Sequence, residues 1–169
     1  MADAGVLVMR LVFGLMIAAH GSQKLFGWFG GQGLGAVSGM FEALGFRPGR
    51  SLAALASVSE VVGGLLMAVG LLGPIGPALM LSVMIVAAVA VHWQGGLFAM
   101  SNGIEVPLLY ATAAVGLALT GPGRYSLDAL AGLTSVWTPQ LTWIALMAGV
   151  AGSVVSLGAR RLALGAVAA

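Results

Sequence analysis

Long apolar runs separated by short polar breaks organise this chain. Stretches near 5–21, 52–72, 77–93, 104–120 and 140–158 are built almost wholly from Leu, Val, Ile, Met, Ala and Gly, and none alternates with period two. About 20 apolar residues in helical conformation cross a hydrocarbon core. Lipid leaves only helices and closed barrels as spanning structures, because unpaired backbone groups are too costly there. The pattern therefore predicts an all-α transmembrane helical bundle of five helices, the third and fourth short, forming a single domain over residues 1–169.

The breaks have their own logic. Pro74 and Pro77 flank a tight turn, and Pro139 stands where a helix start tolerates proline. Leu25-Phe26-Gly27-Trp28-Phe29-Gly30-Gly31, followed by Val37, Met40, Phe41 and Leu44 at helical spacing, is too apolar for a free loop and too short to span. It is expected to lie at the membrane interface or to re-enter, either as an aromatic anchor or as a lid over a polar site. The first apolar run lacks a basic start, carries Arg10, and has no small-x-small cleavage pattern before His20-Gly21-Ser22, so it reads as a mature helix. Small residues four apart, Ser59/Gly63 and Ala145/Gly149/Ser153, suit close helix packing or a face for a homo-oligomer.

Composition narrows the function. Hydrophobic residues make up 60% of the chain and charged ones 7%, with a mean hydropathy of +1.06, as in an integral membrane protein surrounded by lipid. There is no basic run of the kind that grips nucleic acid, so nucleic acid is not an expected partner. Cysteine is absent, which removes disulfides and dithiol relays from this polypeptide; a redox role would need a bound cofactor or a partner. Lys24, Arg47 and Arg50 follow the first span and Arg160 and Arg161 the last, against Arg124 on the other side. The positive-inside rule then puts the N-terminus outside and the C-terminus in the cytoplasm.

The candidate chemistry lies in the few ionisable residues within or beside the apolar runs: Arg10, His20, Lys24, Glu60, His92 and Glu105, with Asn102 nearby. Charges in hydrocarbon cost several kcal/mol, about 2.5 or more by insertion scales, so such residues face a protein interior or a water-filled cavity. With about 1.5 Å of rise per residue, Arg10 lies about 9 Å and His20 about 24 Å along the first helix, and His92 about 22 Å along the third. His20, His92, Asn102 and Glu105 thus meet at one depth, with Lys24 on the face of His20 and Glu60 deeper. Arg10 is expected to reach toward Glu60. Each residue also has a plain reading: Arg10 and Glu60 as an ion pair fixing helix register, the histidines as hydrogen-bonded helix-end imidazoles, Glu105 as a first-turn carboxylate. Two histidines and two carboxylates on separate helices lack local metal-ligand spacing, so no metal site is assigned.

His20-Gly21-Ser22-Gln23-Lys24-Leu25-Phe26-Gly27, Gly30-Gly31, Phe41-Glu42-Ala43-Leu44-Gly45, Ser59-Glu60 before Gly63-Gly64-Leu65-Leu66, His92, Asn102-Gly103 with Glu105 and Pro107, and Gly121-Pro122-Gly123-Arg124-Tyr125-Ser126-Leu127-Asp128 stand in an order that resembles the DoxX family of small bacterial membrane proteins. The resemblance covers about residues 6–130. It implies a four-helix core in the bacterial inner membrane, to which the span near 140–158 is an addition. It also implies membrane redox work, since relatives contribute to thiosulfate:quinone oxidoreductases or associate with superoxide dismutase and a sulfurtransferase. The Gly121–Asp128 stretch reads as a turn leading to Ser126 as a helix cap, without a catalytic role.

The expected function is a membrane subunit of a redox or oxidative-stress system with protein partners, binding a quinone-like molecule in a polar chamber. His20 or His92 would bond a quinone carbonyl, Glu60 or Glu105 would exchange protons, and Lys24 and Arg10 would stabilise negative charge. A scaffold without chemistry is the alternative from another class. A transporter, and a haem held between His20 and His92, are lesser ones.

Overall fold

The computed structural model describes the chain over residues 1–168, with side chains as far as Ala166. Helix α1 (Ala2–Phe26) ends at Gly27, whose φ of 75° makes a left-handed stop. An aromatic turn leads to α2 (Gly33–Ala43), then to α3 (Gly49–Val69), which closes on Gly70 in the same left-handed way. Helix α4 (Ile75–Ala87) runs into a π-helical turn (Ala88–His92) and a short 3-10 turn (Trp93–Gly95). After a second 3-10 turn (Ala99–Ser101) come α5 (Glu105–Thr120), the short α6 (Leu127–Leu130) and α7 (Pro139–Ala168). The described residues contain no strand.

Four of these helices are long and apolar enough to cross a membrane: Ala2–Phe26, Gly49–Val69, Ile75–Gly95 and Pro139–Ala166. The fourth predicted span is α5, whose 16 residues reach about 24 Å, less than the roughly 30 Å of a hydrocarbon core. The C-terminal helix, in contrast, is the longest. Outward-facing Val8, Val12, Leu15 and Met16 on α1 and Ile144, Met147, Val154 and Val155 on α7 are all at least half exposed. Lipid is the solvent that such faces fit.

Helix α1 packs along α3, α4 sits between α3, α5 and α7, and α2 lies against α3. The α1–α3 seam is made by absence of side chains: a Cβ on Gly14 would stand 2.6 Å from the Gly64 carbonyl oxygen, and one on Gly64 2.5 Å from that of Gly14. Close backbone approach supplies the dispersion contact that holds helices together where lipid gives no hydrophobic drive. Gly149 does the same for α7 against Ala78 of α4, with Ser153 fully buried one turn on. Ile17, Met67, Met80, Met84, Leu117 and Leu146 fill the centre.

The start of α1 and the Arg160 region of α7 lie at opposite ends of this bundle. Asp3 accepts a hydrogen bond from the Arg124 N–H, while Arg160 donates to the Leu44 carbonyl and sits over the Phe46 ring.

Candidate ligand chamber

Polar residues gather at two separate levels. At the end carrying the N-terminus, Arg10 is 3% exposed and donates through its two terminal nitrogens to the Pro122 and Tyr125 carbonyls, 2.6 and 2.5 Å away. Beside it Asp128, fully buried, accepts from the Leu72 and Gly73 N–H groups at 2.9 and 2.7 Å. Leu72 has φ 59°, a left-handed backbone that a branched side chain rarely adopts. The carboxylate holds that turn, and Ser126 caps α6 by accepting from the Ala129 N–H. Arg10 therefore does not meet Glu60. Fourteen residues separate it from Lys24, about 21 Å along the helix, and its stem runs to the loop after α5.

Glu60 pairs with Lys24 instead. Nζ to Oε1 is 2.7 Å, the Glu60 side chain is sealed from solvent, and the Lys24 side chain keeps 19% exposure. Glu60 Oε2 and Arg10 Nε are buried without a partner. Gly21, where a Cβ would stand 2.8 Å from the Glu60 Cβ, lets α1 come close enough for this pair to form.

The pair forms part of the wall of a cavity of about 680 Å³ between α1, α4 and α5, within the size range of small-molecule sites. His20, His92 and Asn102 line it too, with Gln23, Met40 and Tyr110. Sequence spacing thus brought five of its seven candidates to one chamber. Glu105 stays outside the lining, where its Oε2 accepts from the Ala99 N–H at 2.8 Å and closes the loop before α5. Gln23 and Tyr110 are additions. Gln23 stands inside the His20–Gly27 motif; Tyr110, edge-on to Phe13 at 5.4 Å, had only its place on an apolar helix to mark it.

Hydrogen bonding sets which histidine nitrogen is free. The Gln23 amide donates from Nε2 to the Phe29 carbonyl at 3.1 Å, which turns its Oε1 to His20 Nδ1 at 3.3 Å. His92 Nδ1 is 3.0 Å from the Asn102 carbonyl. Both partners can only accept, so each Nδ1 carries the proton and each Nε2 is left for something else. A neutral Nε2 accepts a proton and a protonated one donates, so the chamber offers two groups able to bond a carbonyl or a hydroxyl oxygen. Among the described residues no group of three or more His, Cys, Asp or Glu side chains is placed to hold a metal ion.

A DoxX family model matches residues 5–93. The chain belongs to the DoxX family. No curated protein and no solved structure matches it. The DoxX segment holds His20, Lys24, Glu60 and His92, whereas Asn102, Tyr110 and all of α7 lie beyond it. Family membership and the apolar helices make this an integral membrane protein.

Proposed function

We propose that this DoxX protein is a membrane subunit of a redox system, with protein partners, that binds a quinone-like ring in the chamber of His20, Lys24, Glu60, His92 and Asn102. The observation that carries the reading is that two imidazoles, each anchored through Nδ1, line one cavity whose wall also holds a buried carboxylate–ammonium pair. A ring carbonyl gains an oxygen-bound proton on reduction. An imidazolium Nε2–H bonds that oxygen and can deliver the proton, and His20, which is exposed, takes a replacement proton from water, while the Glu60 carboxylate favours the charged imidazolium. Lys24 balances the carboxylate. Electrons come from a partner protein, since the chain has no thiol of its own. The basic ends of α1, α3 and α7 are assigned to the cytoplasmic side of a bacterial inner membrane, with the N-terminus outside.

The test is gentle purification from native membrane, with mass spectrometry and an absorption spectrum recording every lipid, quinone, haem, metal and polypeptide that accompanies the chain. A stoichiometric quinone, lost in the His20→Ala/His92→Ala double variant, is the expected result. Quinone retained at full stoichiometry in that variant would overturn the histidine roles.

One observation favours a second reading. The Lys24–Glu60 pair ties α1 to α3 with no ligand needed, as a scaffold's fastener would. Protein partners without any small molecule would support it.

A further inference from the structure

A second cavity of about 250 Å³ lies behind Lys24, between α2, α3, α4 and α7. Its lining is mostly apolar, with Phe41, Leu44, Phe46 and Val86 prominent, and Leu55, also in the lining, is 63% exposed. Lys24, Met40, Ala87 and Val91 line this groove and the chamber alike. The two spaces thus share a wall made of these four residues, and one of them is a flexible methionine, the side chain best able to yield to an irregular guest. The groove opens toward lipid, and the chamber holds the polar groups.

Resting on the chamber reading above, we propose that the groove receives the apolar tail of the ligand whose ring lies in the chamber, so that the site takes a tailed, membrane-dissolved ring compound rather than a bare water-soluble ring. The head is uncharged. An anionic phosphate head would be repelled by the Glu60 carboxylate in the chamber wall, while Lys24, which lines both spaces, is already neutralised at 2.7 Å. The tail gains no hydrophobic free energy by exchanging lipid for the groove, because both are hydrocarbon. Its effect is positional: with the tail accommodated, the ring stays in the chamber lined by His20 and His92. Helix α7 supplies Gly152 and Ser156 to this groove, which gives the helix outside the matched DoxX segment a part in ligand choice.

Gly152 is the place to fill. A Cβ there meets only the Ser82 hydroxyl, at 3.5 Å, so the backbone has room for a side chain that grows into the groove. The experiment measures equilibrium binding of two benzoquinones, one with a two-isoprene tail and one with a methyl group in its place, to the full chain in phosphatidylcholine nanodiscs. Gly152→Leu and Ser156→Leu are compared with Gly158→Leu, which has open space around it. The expected result is a roughly tenfold loss for the tailed compound in the two groove variants, about 1.4 kcal/mol, with the methyl compound unchanged and Gly158→Leu like wild type. Agreement of either groove variant suffices if the other unfolds, judged by its thermal melt. Unchanged binding of the tailed compound would overturn the tail assignment and leave the chamber reading standing. Loss of both compounds equally would also overturn it. Failure of both to bind wild type would remove the chamber reading and the tail with it. A phospholipid held at unit stoichiometry, expelled by Gly152→Leu but not by the tailed quinone, would overturn the proposal in favour of lipid.

Discussion

Replacing Lys24 by Met tests the electrostatics of the chamber most directly. Glu60 has a side chain without solvent exposure, one oxygen paired to Lys24 at 2.7 Å and the other unpartnered. Its compensation therefore comes almost entirely from one ammonium. Removing one member of a buried pair costs about 3–5 kcal/mol, and since Lys24 keeps 19% exposure the lower end, about 3 kcal/mol, is expected. The reverse change, Glu60→Met, is expected to cost only about 1 kcal/mol, because the freed ammonium sits on a flexible stem at the rim and can turn to water. Replacing both by Met removes two desolvated charges together and should return the protein to within about 1 kcal/mol of wild type. The assay is reversible unfolding in mixed micelles with increasing SDS, followed by helical circular dichroism. Equal costs for the two single variants, or a double variant no more stable than Lys24→Met, would refute the claim that Glu60 is the trapped partner.

Other outcomes follow from packing and backbone contacts. Gly64→Ala should destabilise by about 1–3 kcal/mol, since its Cβ would strike the Gly14 carbonyl 2.5 Å away, whereas Gly116→Ala, with nothing within 4 Å, should stabilise by up to about 1 kcal/mol; thermal melts of the pair check this, and a stable Gly64→Ala would deny the close seam. Asp128→Ala strands the Leu72 and Gly73 N–H groups and should cost about 3 kcal/mol or more, with Asp128→Asn recovering part of it through its one acceptor oxygen; equal losses for both would mean that the carboxylate's bonds do not hold the turn. Arg10→Met should loosen the loop at 122–125 and raise its amide hydrogen exchange while leaving ligand binding in the chamber unchanged, because Arg10 lies at the other level; weakened binding would contradict that separation.

The helices were legible because the apolar runs are long and their ends carry strong stops: Gly27 and Gly70 in left-handed conformation, Pro139 at a start. The gathering of His20, Lys24, Glu60, His92 and Asn102 was legible too, since antiparallel helices convert sequence position into depth. Angular position was not. Nothing in the residues around Arg10 said that its partners would be the carbonyls of Pro122 and Tyr125, which every residue type possesses, so the pairing with Glu60 was the wrong one. The role of Asp128 was hidden for the same reason: its partners are backbone N–H groups. The signal available was the turn Leu72-Gly73 after a glycine-stopped helix, which leaves N–H groups in need of an acceptor. The shortness of α5 was legible as well, since the apolar run 104–120 reads as a short span and the helix covers Glu105–Thr120.

The π-helical turn Ala88–His92 gives α4 a tolerance to changes in length that no other part of it has. A π turn accommodates one residue more than the α-helix around it. Loss of a residue from Ala88–Val91 lets the ladder close as regular α-helix while the chain on either side keeps its heading, and the imidazole of His92 still meets the chamber. Loss of a residue from Ile75–Ala87 has no such slack and would swing His92 by about 100° around the helix axis, toward a neighbouring helix or into lipid. Single-residue deletions that keep His92 at the chamber are therefore confined, within this helix, to the one turn that precedes the histidine.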